Sequence, residues 1–142
     1  MNKAVKKLAD KDITLARPDL SPRLEKDIQR EVCDWLDAAG HFFWRNNTIP
    51  VFDKGRFRAL PKYTPRGLPD IIVLSAGRFV GLEVKRPARA GHPGEAKTGT
   101  NPETTAAQEE MARRIRLAGG WYFVVHSLEE AQAEMGRWIT AP

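Results

Sequence analysis

Leu24, Ile28, Val32, Trp35, Leu36 and Ala39 recur at helical spacing, and Gly40 ends the run. Ser21-Pro22 ahead of them supplies an N-cap followed by proline at a first helical position, so the pattern predicts a helix from there to about Ala39. His41-Phe42-Phe43-Trp44-Arg45 reads as a strand, with core packing favoured for Trp44. Positions 46–69 are rich in turn formers, with room for a short strand pair around Asp53-Lys54-Gly55-Arg56. Residues 70–75 and 78–85 are apolar at adjacent positions and flank Ala76-Gly77, the length of a tight two-residue hairpin turn. Strands apolar on both sides need cover on both sides, which predicts an α/β fold: a central mixed sheet with helices on both faces.

Positions 87–102 hold three prolines and three glycines and predict a long basic loop. Thr105-Ala106-Ala107-Gln108 has a capping-box pattern ahead of Met111, Ile115 and Ala118, and Gly119-Gly120 closes that second helix. Positions 121–126 form an aromatic and β-branched strand. Ser127-Leu128-Glu129-Glu130 repeats the capping-box pattern and opens a last helix through about Trp138. Residues 1–20 lack a sustained period and read as an N-terminal arm, leaving 21–142 as a single domain.

Composition narrows the class. Of 142 residues, 42% are hydrophobic and 29% charged, which excludes a mostly disordered or fibrous chain. No apolar run approaches the roughly 18 residues of a spanning helix, and the basic start has no apolar segment of a signal peptide after it, so a cytoplasmic protein with no membrane partner is expected. One cysteine, Cys33, and three scattered histidines exclude a disulfide framework and a zinc ribbon or finger. Any metal would be held by oxygen ligands, and Cys33 reads as a structural residue of the helix face. The net charge is +5, yet between positions 54 and 97 ten basic residues meet only three acidic ones. A basic middle between near-neutral ends points to a localised anionic partner, nucleic acid being the commonest.

The predicted hairpin concentrates the chemistry. If Ser75 faces Arg78 across the turn, counting back sets Asp70 opposite Glu83, and Lys85 projects to the same face by the two-residue strand period. Directly opposed carboxylates repel. A divalent cation resolves the repulsion: Asp70, Glu83 and the Val84 backbone carbonyl offer oxygen ligands suited to Mg²⁺ or Mn²⁺. Lys85 could then orient or deprotonate an attacking water, or stabilise charge developing on a phosphate. Against this stands the plain structural account, in which Asp70 is a turn residue and Glu83 and Lys85 form solvated cross-strand pairs; the apolar surroundings of Glu83 favour the site. Glu25 borders the inward stripe of the first helix, where it could reach the metal or stabilise the helix N-terminus. Gln108, in line with Met111 and Ile115, could orient a water, touch the substrate or serve its cap.

Gly67-Leu68-Pro69-Asp70, twelve residues, Glu83-Val84-Lys85 and a downstream helix bearing Gln108 resemble the PD-(D/E)xK nuclease superfamily. Glu25-Lys26-Asp27-Ile28-Gln29, Trp44-Arg45-Asn46-Asn47-Thr48 and Ala118-Gly119-Gly120 look like the pattern of its VRR-NUC family. Ile49-Pro50 departs from the glycine that often follows the Asn-Asn-Thr stretch in that family. The resemblance implies a restriction-endonuclease-like core, Asp70 and Glu83 as metal ligands, Lys85 as the catalytic lysine, and Glu25 and Gln108 as further active-site residues. Small stand-alone members resemble Holliday-junction resolvases, which implies a homodimer cutting branched DNA; flap- or end-directed cutting is the alternative, and a non-catalytic DNA-binding module a more distant one. Arg45, Lys62, Arg66, Arg86, Arg89 and Lys97 then become candidate phosphate contacts, and Tyr63 and Trp44 candidates for stacking on unpaired bases.

Overall fold

The computed structural model describes residues 23–46, 52–87 and 102–139. The N-terminal arm, Ser21-Pro22, Asn47-Thr48, Ile49-Pro50 and most of the expected basic loop, with Arg89 and Lys97, lie outside them. In chain order the elements are α1 (Glu25–Ala38), β1 (Phe42–Arg45), β2 (Phe52–Asp53), β3 (Arg56–Phe57), β4 (Ile71–Ser75), β5 (Arg78–Val84), α2 (Pro102–Leu117), β6 (Trp121–Val125) and α3 (Leu128–Ile139).

The first helix starts later than its Ser-Pro signal predicts. Leu24 occupies the cap position in extended conformation with no side-chain cap, and the acidic pair Glu25 and Asp27 fills the first turn, where the helix dipole favours negative charge. Ile28, Val32 and Leu36 bury the inward stripe, each worth about 1.5–3 kcal/mol relative to exposure. The helix closes with the paired bonds of a Schellman motif, His41 N–H to Leu36 and Gly40 N–H to Asp37. At the end of α2 the same pair recurs, from Gly120 N–H to Ile115 and from Gly119 N–H to Arg116.

The main sheet is mixed and has the order β1-β4-β5-β6, with β5 and β6 parallel and the other pairs antiparallel. The central hairpin has the predicted register, Ser75 facing Arg78 and Ile71 facing Leu82, and its turn holds Ala76 and Gly77 at φ 50° and 75° as a type I′ turn requires. The short pair β2-β3 forms around Lys54-Gly55 as expected, with Phe52 and Phe57 ring centroids 5.1 Å apart.

Alternation sorts the strands between two layers. Ile71, Val73, Val80, Leu82, Val84 and Val125 face α1 and α3, packing with Ile28, Val32, Leu36, Ala131 and Met135. The other face carries Glu83 and Tyr122 toward Met111, Ala112 and Ile115 of α2. Cover on both faces is thus as the apolar strands predict. Cys33 packs against the first layer, and burial pushes its thiol up, which fits a structural residue.

Two local expectations are corrected. The second helix begins at Pro102, not at Thr105, so Thr105 and Gln108 lie within it and form no N-terminal box. Trp44 is 41% exposed rather than a core residue, because it faces out from the edge strand β1 on the side of the sheet that α1 does not cover. At α3, Ser127 Oγ accepts the Glu130 N–H as a cap should, while the Glu130 carboxylate reaches past it to the His126 N–H at 2.8 Å.

Candidate active site

Asp70 immediately precedes β4, and Glu83 lies near the end of β5. At the open end of the hairpin the ladder gives way to side-chain bonding: Asp70 Oδ2 accepts the Val84 N–H at 2.8 Å. The Asp70 backbone carbonyl meanwhile accepts the Asn46 N–H at 2.8 Å, carrying the β1 pairing one step further. Lys85 N–H points the other way, to Val125 O at 3.0 Å. Strand alternation therefore directs the Val84 N–H and C=O together to the Asp70 side, where the sequence places a carbonyl ligand.

Glu83 is only 3% exposed and is held by three donors. Lys85 Nζ lies 3.0 Å from Oε1, Gln108 Nε2 donates to the same oxygen, and the Tyr122 hydroxyl donates to Oε2 at 3.3 Å. Burial, and then the charge of Asp70, push the Glu83 carboxyl up to about 7 despite these bonds. Asp70 is also raised, first by burial, against the Val84 N–H and the Lys85 charge. Tyr122 is pushed up by burial and by Glu83, so it stays a proton donor. Two carboxylates thus share one adjacent ammonium.

The loop Gly67-Leu68-Pro69 holds this geometry. Gly67 has φ +76°, and a Cβ there would collide with the Ala107 carbonyl of α2, so only glycine permits the backbone to dock one residue from Gln108. Pro69 is fully buried and seats over Gly81, where an added Cβ would lie 2.7 Å from its Cγ.

Glu25 sits at the site's edge. Its Oε1 accepts the Arg86 N–H at 3.3 Å, and its charge contributes to raising Asp70. Among the described residues no three His, Cys, Asp or Glu side chains gather closely enough to hold one ion, so Glu25 forms no triad with Asp70 and Glu83 here. Gln108 reaches Glu83 itself. Arg45 Nη2 donates to Gln29 Oε1 at 2.7 Å and its charge acts on Asp70, while Arg86 adjoins Lys85; both border the carboxylates. Arg66 is exposed beside Gly67, whereas Lys62 lies over the exposed Tyr63 ring at 4.9 Å to the centroid.

Tyr122 is the site residue that the sequence reading missed. A lone phenol in an otherwise apolar strand is a usable signal, since a buried hydroxyl needs a partner. Its partner follows only from the parallel register that sets Gly81 beside Tyr122. Compared with protein-family models, curated proteins and solved structures, the chain matches none.

Proposed function

We propose that this chain is a Mg²⁺- or Mn²⁺-dependent DNA endonuclease with a restriction-endonuclease-like PD-(D/E)xK core, acting as a homodimer on branched DNA such as Holliday junctions. The observation that carries this reading is the buried Glu83 beside the half-buried Asp70, with Lys85 Nζ 3.0 Å from Glu83 Oε1. The donor set fits a hard divalent cation: two carboxylates and the Val84 carbonyl are oxygen ligands, and burial with one counter-cation leaves the carboxyls raised. Asp70, Glu83 and Val84 would hold the ion, which supplies Lewis-acid polarisation of a phosphodiester.

The remaining residues have roles their positions support. Tyr122 and Gln108 fix the Glu83 carboxylate from both sides. Lys85, 27% exposed, can meet solvent and substrate while bonded to Glu83, so it orients the attacking water and stabilises charge on the phosphate. Arg45 and Arg86 offer phosphate contacts on either side.

The test incubates the chain, Asp70→Ala and Lys85→Ala with labelled four-way junctions, flaps, duplex and single strands in Mn²⁺, Mg²⁺ or EDTA. Metal-dependent cutting is expected from the unaltered chain alone. Lys85→Ala should retain DNA binding and lose about 10²- to 10⁴-fold in rate. Symmetric junction nicking supports the dimeric reading, and cutting confined to flaps or ends replaces it. Substantial cleavage by folded Lys85→Ala would remove Lys85 from the mechanism. Binding without cutting under every metal would overturn the nuclease.

A further inference from the structure

The sheet face bearing Glu83 is covered by α2 at its β6 side, but at its β1 side it presents apolar side chains to solvent. Phe42 is 68% exposed, Trp44 41% and Leu74 38%. Cross-strand pairing puts them on one face: Phe42 opposes Leu74 and Trp44 opposes Ile72, two residues from Asp70. Trp44 and Asp70 are therefore diagonal neighbours across the ladder, about 7–8 Å apart. The Phe42 and Trp44 rings lie 5.9 Å apart at 54°, forming an aromatic ledge beside the carboxylates.

Charge and size indicate what covers this ledge. By strand alternation Arg45 projects to the other face, where Gln29 of α1 holds it, whereas Lys85 Nζ stands on the ledge's own face, 3.0 Å from Glu83 Oε1. That ammonium marks where a polyanion backbone would pass the ledge. Three side chains fall far short of the roughly 800 Å² per partner of a stable protein interface, whereas one nucleobase needs one ring. Exposed aromatic rings on the face that carries a backbone-binding cation are the pairing that single-stranded nucleic acid uses.

We infer that Trp44, with Phe42 beside it, is a stacking platform for an unpaired nucleobase of the DNA whose backbone lies at Asp70, Glu83 and Lys85. The inference rests on the nuclease reading and refines its substrate: DNA with unpaired nucleotides next to the scissile phosphate. A junction centre, a fork and a flap qualify. A fully paired duplex exposes a base face only at its two terminal pairs and offers none beside an internal scissile phosphate.

The test measures binding without divalent metal, and cleavage in Mn²⁺, for the unaltered chain, Trp44→Ala, Trp44→Phe and Phe42→Ala. The probes are a forked oligonucleotide with 2-aminopurine at the first unpaired position and a blunt duplex of equal length. Stacking should quench 2-aminopurine on binding by the unaltered chain. Trp44→Ala should abolish the quench and weaken fork binding about 5- to 100-fold, with duplex affinity and the salt slope unchanged; Trp44→Phe should keep most of both. Should Trp44→Ala melt early, the quench by the unaltered chain and the Phe42→Ala affinity decide.

Equal losses on fork and duplex, or none, would overturn the platform. A shift from dimer to monomer in Trp44→Ala with fork binding intact would overturn it too and assign the ledge to self-association. Metal-dependent cutting that is indifferent to Trp44 would remove the platform and keep the nuclease. Trp44-dependent quenching with no cutting under any metal would remove the nuclease and keep the base site.

Discussion

Glu83 is the residue on which electrostatics and packing disagree most. Its carboxyl stands at about 7 in the folded chain against an ordinary 4.5, so between those values the folded state binds more protons than the unfolded one. The stability it contributes is full below pH 4.5 and is lost as pH rises through 7. In metal-free buffer Glu83→Gln should therefore melt near the unaltered chain at pH 5 and several degrees above it at pH 8. Mn²⁺ should raise the melting temperature of the unaltered chain more at pH 8 than at pH 5, and should do little for Glu83→Gln. Calorimetry across that range checks both signs. The sequence makes Asp70 opposite Glu83 legible because a two-residue turn fixes the register arithmetically. It does not reveal Tyr122, since a parallel neighbour is set by a crossover whose length leaves the register free.

At the scale of elements, the decisive contact is backbone on backbone, where the Gly67 turn meets α2. Gly67→Ala introduces a Cβ at positive φ into the Ala107 carbonyl, so α2 must move. We expect a loss of about 2–4 kcal/mol, well above the ~1 kcal/mol of an ordinary glycine effect, read as a lower denaturant midpoint. Periodicity and end signals make the helices and strands themselves readable from Gly40, Gly119-Gly120 and Ala76-Gly77. Helix starts are readable only in part: Ser127 caps α3 as its pattern predicts, but Thr105 and Gln108 carry a sound capping pattern that tertiary contact overrides, drawing Gln108 inward to Glu83. Trp44 misleads for a related reason, because hydrophobicity alone cannot tell which face of an edge strand goes uncovered.

Across the whole molecule, the basic excess of positions 54–97 becomes a question of salt. If Arg86 within that stretch and Arg45 just before it contact phosphates, replacing either with alanine should weaken all DNAs alike and reduce the slope of log affinity against log salt by about 0.9. Binding titrations at several salt concentrations measure it. Among the described residues no helix is long and apolar enough to span a bilayer.

The hairpin that joins Asp70 to Glu83 has a further consequence for how the chain folds. Its two-residue turn makes β4 and β5 the most local long pairing in the molecule, so zipping from Ala76-Gly77 runs toward the carboxylates and meets their repulsion last. The site's charge thus weighs on the finished fold more than on the barrier to reaching it. Asp70→Asn should relieve the repulsion, slowing the unfolding arm of a chevron while the refolding arm moves less.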